Sequence, residues 1–78
     1  MRKYQPIWER IKATGSCKVA VPKPLHRRVI RGVIKEKDED HGFKVLDAEL
    51  WGWNRLQYQI HGSEILFTLQ HPLKADDL

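Results

Sequence analysis

The sequence predicts a single small α+β domain, an antiparallel sheet with one main amphipathic helix packed on it. Apolar residues recur every three or four positions in the first half of the chain and alternate with polar residues in the second half. Proline and glycine clusters separate these segments. The predicted order is α-β-α-β-β-β across residues 1–78, and we expect residues 72–78 to form a frayed tail.

The first helix is predicted at residues 5–13, where Pro6 is tolerated in the first turn. One face of this helix carries the apolar side chains Tyr4, Ile7, Trp8 and Ile11, and we expect Trp8 to lie in the core. Residues 16–21 follow as a strand with alternating side chains. The strand ends at residues 22–24, because proline cannot continue its hydrogen bonds.

Residues 24–38 are predicted to form the main helix. At about 100° per residue, the apolar side chains occupy one broad arc, Leu25, Val29, Ile30, Val33 and Ile34. The opposite arc is basic and carries Arg27, Arg28, Arg31 and Lys35, with no acidic residue expected among them. Gly32 lies at the border of the two arcs, where a partner could approach closely. The acidic run at residues 38–40 is unfavourable at a helix C-terminus and is expected to end the helix, with a turn at residues 41–42.

The rest of the chain is predicted as a three-stranded meander at residues 43–51, 56–60 and 65–69. The alternation in the first strand changes phase after Val45, which a β-bulge would explain. The second and third strands are expected to face the core with Leu56, Tyr58, Ile60, Ile65, Phe67 and Leu69. Because only one long helix precedes this sheet, we expect neither a helix-turn-helix nor an RNA recognition motif.

The charge is distributed unevenly along the chain, which has a net charge of +4. Residues 1–37 hold eleven Lys and Arg against two Asp and Glu, whereas residues 38–78 hold three against eight. This polarity can attract a polyanion or support pairing between copies of the chain. A chain of 78 residues also buries a small core, and its sheet edges are expected to be open, so we expect a homodimer.

The composition argues against several classes of protein. Cys17 is the only cysteine, which excludes a disulfide scaffold within one chain and a Cys-rich zinc site. The single cysteine suits a reducing interior, so we expect a cytoplasmic protein. The segment at residues 1–12 lacks the apolar stretch of a signal peptide, and no apolar run exceeds three residues, so we expect neither a signal peptide nor a membrane span.

The sequence also offers no catalytic motif. A Cys17–His pair would be a minimal nucleophile, but its surroundings favour a packed structural thiol. The histidines lack the spacing of metal ligands. There is no glycine-rich phosphate loop, GxSxG or HExxH. We therefore expect no enzyme activity, no cofactor and no metal.

Two functional interpretations remain open. In the first, the basic arc of helix 24–38 contacts nucleic-acid phosphates, DNA or RNA, through Arg27, Arg28, Arg31 and Lys35, with Lys23 in support. The competing view of this arc is that a surface helix simply carries strong helix formers on its solvated side. In the second, Trp51 and Trp53 in a predicted hairpin, together with a sheet edge, dock on a larger protein, unless both tryptophans pack on the core. Either role suits a small accessory protein carried by a phage or plasmid.

Overall fold

Helices and an antiparallel sheet share one core in this protein. The structure, a computed structural model, describes residues 3–49 and 55–70. The elements in chain order are α1 (Gln5–Thr14), β1 (Ser16–Ala20), a 3-10 turn (Lys23–Leu25), α2 (His26–Glu39), α3 (His41–Glu49), β2 (Leu56–His61) and β3 (Glu64–Leu69). The predicted α+β class is confirmed.

The sheet has β3 at its centre, with β1 on one side and β2 on the other, both antiparallel to β3. The β2–β3 hairpin was predicted correctly, and its turn consists of Gly62 and Ser63, with Gly62 at a φ of +62° that favours glycine. The predicted meander order is wrong, because β1 rather than a strand at 43–51 supplies the third member of the sheet.

The segment predicted as the first meander strand forms the helix α3. The phase change after Val45 reflects helical spacing rather than a bulge, since Phe43 and Leu46 are three residues apart and both turn inward. Asp40 provides the start signal, and no turn intervenes at residues 41–42. Two helices therefore follow one another directly, which contradicts the expectation of a single long helix before the sheet.

The core lies between the helices and one face of the sheet. Its buried apolar side chains come from all three helices and from β1 and β3, namely Trp8, Ile11, Cys17, Val29, Ile30, Val33, Phe43, Ile65, Phe67 and Leu69. The predicted core position of Trp8 is confirmed, and its ring meets that of Phe43 edge to face at 5.0 Å between centroids. Helix α1 packs against β1 and β3.

Some residues predicted to be buried lie at the surface instead. Leu25 belongs to the 3-10 turn, and Ile34 lies at the edge of the apolar arc of α2; 38% and 37% of their surfaces are exposed. On β2, the side chains of Tyr58 and Ile60 lie on the helix-facing side of the sheet but are 47% and 51% exposed. The described helices therefore cover β1 and β3 more fully than β2.

The longest described helix, α2, has 14 residues and a charged side. None of the helices in residues 3–49 and 55–70 combines the length and apolar character needed to cross a bilayer. The predicted tail at 72–78 and the predicted hairpin turn at 52–54 lie outside the described residues.

Candidate nucleic-acid interface

A basic face occupies the outer side of α2 and the turn before it. It consists of the five residues that the sequence singled out, Lys23, Arg27, Arg28, Arg31 and Lys35, and each of them is exposed. On α2 the arginines and Lys35 span an arc opposite the buried Val29 and Val33. Arg27, Arg31 and Lys35 are one helical turn apart, about 6 Å per step along the axis. The structure therefore places the four α2 residues on one exposed side of that helix, and Lys23 is exposed in the turn before it.

Ion pairing divides the basic face into two parts. At its C-terminal end, Lys35 Nζ lies 4.0 Å from Glu39 Oε1. The expectation that acids are missing from this face is wrong there. At its N-terminal end, no acidic side chain within residues 3–49 and 55–70 pairs with Arg27, Arg28 or Arg31.

The position of the arginines opposes helix stability. The positive end of a helix macrodipole lies at the N-terminus, where acids stabilise and cations destabilise by roughly 0.3–1 kcal/mol each. Helix α2 has no acidic residue in its first turn and instead carries Arg27 and Arg28 there. Helix propensity explains why arginine is tolerated, but it does not explain this placement.

The N-terminus of α2 is anchored to the sheet by His26. This side chain is buried, and its Nε2 lies 3.0 Å from the carbonyl oxygen of Val21 and 3.2 Å from that of Ser63. Because a carbonyl oxygen can only accept, Nε2 carries a hydrogen and donates to both. The bond joins the beginning of α2 to the end of β1 and to the β2–β3 turn, which fixes the arginines relative to the sheet.

The middle of α2 is held against α1 through Gly32. A Cβ atom at this position would overlap the ring of Tyr4. The close approach that the sequence suggested at Gly32 is therefore made within the chain, by the residue preceding α1. The contact sets how closely α2 approaches the chain before α1, while the residues of the basic face remain exposed.

The C-terminus of α2 is held by Asp40, the single non-helical residue between α2 and α3. One carboxylate oxygen accepts from the backbone N–H of Phe43 at 3.1 Å and caps α3. The other accepts from Trp8 Nε1 at 2.9 Å and from Lys12 Nζ at 2.6 Å, both on α1. Asp40 thus joins all three helices at one point.

The network around Asp40 shifts the pKa values of two groups. Burial alone raises the pKa of Asp40, but hydrogen bonds from Lys12, Trp8 and the Phe43 N–H, with the Lys12 charge, hold it below its ordinary 3.8. For Lys12, burial lowers the pKa, but the hydrogen bond and charge of Asp40, then of Glu9, raise it above 10.5. Both shifts favour the charged pair.

Sequence reasoning missed the role of Asp40, which it assigned only to the end of α2. The usable signal was the N-cap preference of Asp before an apolar residue three positions later, which predicts a new helix. It also missed the Lys35–Glu39 pair, although the two lie at i and i+4.

The other predicted functional residues fall into two groups. Cys17 is buried in the core, as its interpretation as a packed thiol requires. Trp51 and Trp53 lie outside the described residues. Within the described part of the chain, no group of three His, Cys, Asp or Glu side chains converges as metal ligands would.

The two consecutive helices differ in charge. Helix α3 carries one lysine against Asp47 and Glu49, whereas the first six residues of α2 include three arginines and no acid. A polyanion would therefore meet α2 more favourably than α3.

Comparison with protein-family models, curated proteins and solved structures gives no match.

Proposed function

We propose that this protein is a small nucleic-acid-binding accessory protein that contacts phosphates through the basic face. The observation that carries the proposal is the cluster of Arg27, Arg28 and Arg31, which is exposed and has no acidic partner among the described residues. Arg27 and Arg28 lie in the first turn of α2, where cations are least favourable. A bound phosphate would remove that electrostatic cost. Lys23 adds a fourth cation at the same end, and Lys35 contributes less because Glu39 competes for it.

The proposal predicts a definite dependence on salt. Four phosphate contacts give a slope of log affinity against log salt of roughly −3.6 on duplex DNA and −2.8 on a single strand. Between 50 and 200 mM salt, affinity for a duplex should then fall by about two orders of magnitude. Contacts of this kind carry no sequence information, so binding through this face alone is expected to be largely independent of sequence.

The test is a salt titration of binding to short labelled single- and double-stranded DNA and RNA, followed by fluorescence anisotropy. The variant Arg27→Glu/Arg31→Glu removes two cations from the basic face and adds two acids. The matched control is Lys18→Glu/Lys44→Glu, which makes the same change in net charge. Lys18 is exposed on β1 next to the inward-facing Cys17, and Lys44 is exposed on α3.

The two double variants separate a specific surface from general charge. We expect the arginine variant to lose binding at least about 100-fold at 100 mM salt, and the lysine control to lose it only a few-fold. Equal losses in the two variants would refute the basic face as the contact surface. Unchanged binding in the arginine variant would refute it as well.

Protein contact is the competing function, and one observation favours it: Tyr58 and Ile60 are about half exposed at the β2 edge. A docking surface built on these residues predicts weak salt dependence, in contrast to phosphate contact. The proposal of Trp51 and Trp53 as part of that surface is tested by Trp53→Ala, which should weaken capture of a protein partner. In either function we propose a non-catalytic protein that works in the cytoplasm.

A further inference from the structure

The two edges of the sheet differ in how they resist pairing with another strand. Edge strands usually carry a charge, a proline or a bulge that blocks further pairing. The β1 edge has five residues with Lys18 at its centre, and Pro22 follows it closely. The β2 edge, LQYQIH, has no Lys, Arg, Asp, Glu or Pro and pairs with β3 in continuous register. Among the strands of the described residues, only β2 lacks such a blocking residue along its whole length.

The backbone of β2 presents a regular set of groups at this edge. In an antiparallel ladder, hydrogen-bonded and non-hydrogen-bonded pairs alternate. The two-residue turn makes His61 and Glu64 a hydrogen-bonded pair, so Gln59 and Gln57 also bond to β3. The N–H and C=O groups of Leu56, Tyr58 and Ile60 therefore point away from β3, toward the outer edge.

The side chains of the same strand divide by chemistry. Leu56, Tyr58 and Ile60 lie on the helix-facing side, where Tyr58 and Ile60 remain about half exposed. Gln57 and Gln59 lie on the opposite side and are exposed. Within the described residues, this strand thus combines backbone groups that point away from β3 with a half-exposed apolar row and an uncharged amide row.

We propose that β2 pairs antiparallel with β2 of a second copy, with Tyr58 opposite Tyr58 on the two-fold axis. This register uses all three outward-facing backbone positions. It also places Leu56 opposite Ile60 and Gln57 opposite Gln59 in both directions. The result is a continuous six-stranded sheet in which apolar residues face apolar residues and amides face amides.

A second copy fits this edge because the strand is complementary to itself. An isologous interface brings the same surface patch of both copies together, so a strand with charges of one sign would meet like charge. Here the central residues are uncharged, and the register sets Arg55 opposite His61 rather than opposite another arginine. The small core of a 78-residue chain gives a further reason for self-association, because the apolar row on β2 would gain cover.

The dimer and the proposed nucleic-acid contact are independent, since the basic face lies on α2 and no basic-face residue takes part in the pairing.

The first test is sedimentation equilibrium from 1 µM to 1 mM protein. We expect the mass to rise from 9.2 kDa toward twice that value. Tyr58→Lys sets two lysines against each other on the axis and should raise the dimer dissociation constant at least about tenfold. Ala20→Lys adds the same charge on β1 and should leave it unchanged.

A second variant keeps the test informative if Tyr58→Lys fails to fold. Residues of a hydrogen-bonded antiparallel pair have Cα atoms about 5.5 Å apart, within disulfide range. Tyr58→Cys should therefore form a disulfide-linked dimer under mild oxidation, and the Ala20→Cys control should not. Both retain the buried Cys17, so a difference between them comes from the new thiol.

The contradicting outcomes are equally definite. A wild-type mass of 9.2 kDa throughout the concentration range would refute the dimer. A dimer that survives Tyr58→Lys in folded protein would refute this edge as its interface. Equal cross-linking of Tyr58→Cys and Ala20→Cys would refute the proposed register.

Discussion

Replacing Asp40 by alanine should destabilise the whole fold, although the residue lies between two helices and contributes nothing to the apolar core. The change removes the N-cap of α3, the acceptor of the Trp8 indole N–H and an ionic partner of Lys12. These contacts link α1, α2 and α3, so their loss should lower the free energy of global unfolding rather than cause only local fraying.

The size of the effect follows from the three contacts. Loss of an aspartate N-cap costs about 1 kcal/mol. The Trp8 side chain is 1% exposed, and a buried donor left without an acceptor costs about 1–3 kcal/mol. The Lys12 pair is partly exposed and adds less than about 1 kcal/mol. We expect a total of about 3 kcal/mol, which lowers the Tm of a domain of this size by roughly 12–24 °C.

The assay is thermal and urea unfolding followed by far-UV circular dichroism. Asp40→Asn has one acceptor oxygen instead of two, so it can keep the N-cap bond or the bond from Trp8 but not both. It should therefore lose about 1 kcal/mol less than Asp40→Ala. Asp38→Ala is the matched control, since its side chain is 62% exposed and pairs only with Lys37 among the described contacts; it should lose less than about 0.5 kcal/mol. If Asp40→Ala unfolds at the same temperature as Asp38→Ala, the network does not stabilise the fold.

Three further predictions concern the packing of α2, the Asp40–Lys12 pair and the basic face. Gly32→Ala should destabilise the protein, because the new Cβ displaces the Tyr4 ring. In a Tyr4→Ala background the same substitution should stabilise the protein by about 1 kcal/mol, because alanine favours a helix more than glycine does. Urea unfolding measures this change of sign in the free energy of unfolding. The stability that Asp40 contributes is present above pH 3.8 and is lost as the pH falls through the lowered pKa of Asp40 in the folded state. The Tm of wild type should therefore exceed that of Asp40→Asn by less in acid than at neutral pH. A constant Tm difference down to pH 2 would contradict this. The Lys12 contribution is present below pH 10.5 and is lost as pH rises through its raised pKa. In the anisotropy assay, Arg31→Glu should weaken nucleic-acid binding more than Lys35→Glu, because Lys35 already shares its charge with Glu39; the reverse order would contradict that ranking.

The elements that the sequence predicts well are those whose periodicity extends over the whole element. Helix α2 alternates apolar and basic arcs for four turns, which predicts both its buried face and its exposed one. In β3 every second residue is buried, so that strand and its inward side chains are also predicted correctly. In these two elements, which side chains are buried depends mainly on the local pattern and can therefore be predicted from the sequence.

The α3 segment was mispredicted because a short apolar run fits both helix and strand. Its residues include Val45 and Leu46 in immediate succession, which breaks strand alternation but suits a helix. The interaction that favours a helix here is the N-cap by Asp40. The Asp40 side chain is also bound by Trp8 and Lys12 on α1, which lie more than 25 residues away in the chain. Such a long-range contact has no signature in local sequence.

The strand order and the division of the basic face depend on tertiary structure in the same way. Nothing in the pattern of β1 shows that it pairs with β3, since sheet order is set by which strands meet in space. The exposure of Arg27, Arg28 and Arg31 was predictable from charge periodicity. The anchors that orient them were not, because they act through distant parts of the chain. His26 bonds to Val21 and to the β2–β3 turn, Gly32 contacts Tyr4, and Asp40 bonds to α1.

The measurement that tests the central claim most directly is the salt dependence of nucleic-acid binding by wild type and by Arg27→Glu/Arg31→Glu. Phosphate contact through the basic face predicts a wild-type slope of roughly −3 to −4 on duplex DNA, reduced by about 2 in the variant. The Lys18→Glu/Lys44→Glu control should keep the wild-type slope. Equal slopes for wild type and the arginine variant, or no binding by wild type at 50 mM salt, would contradict the assignment of this face to nucleic acid.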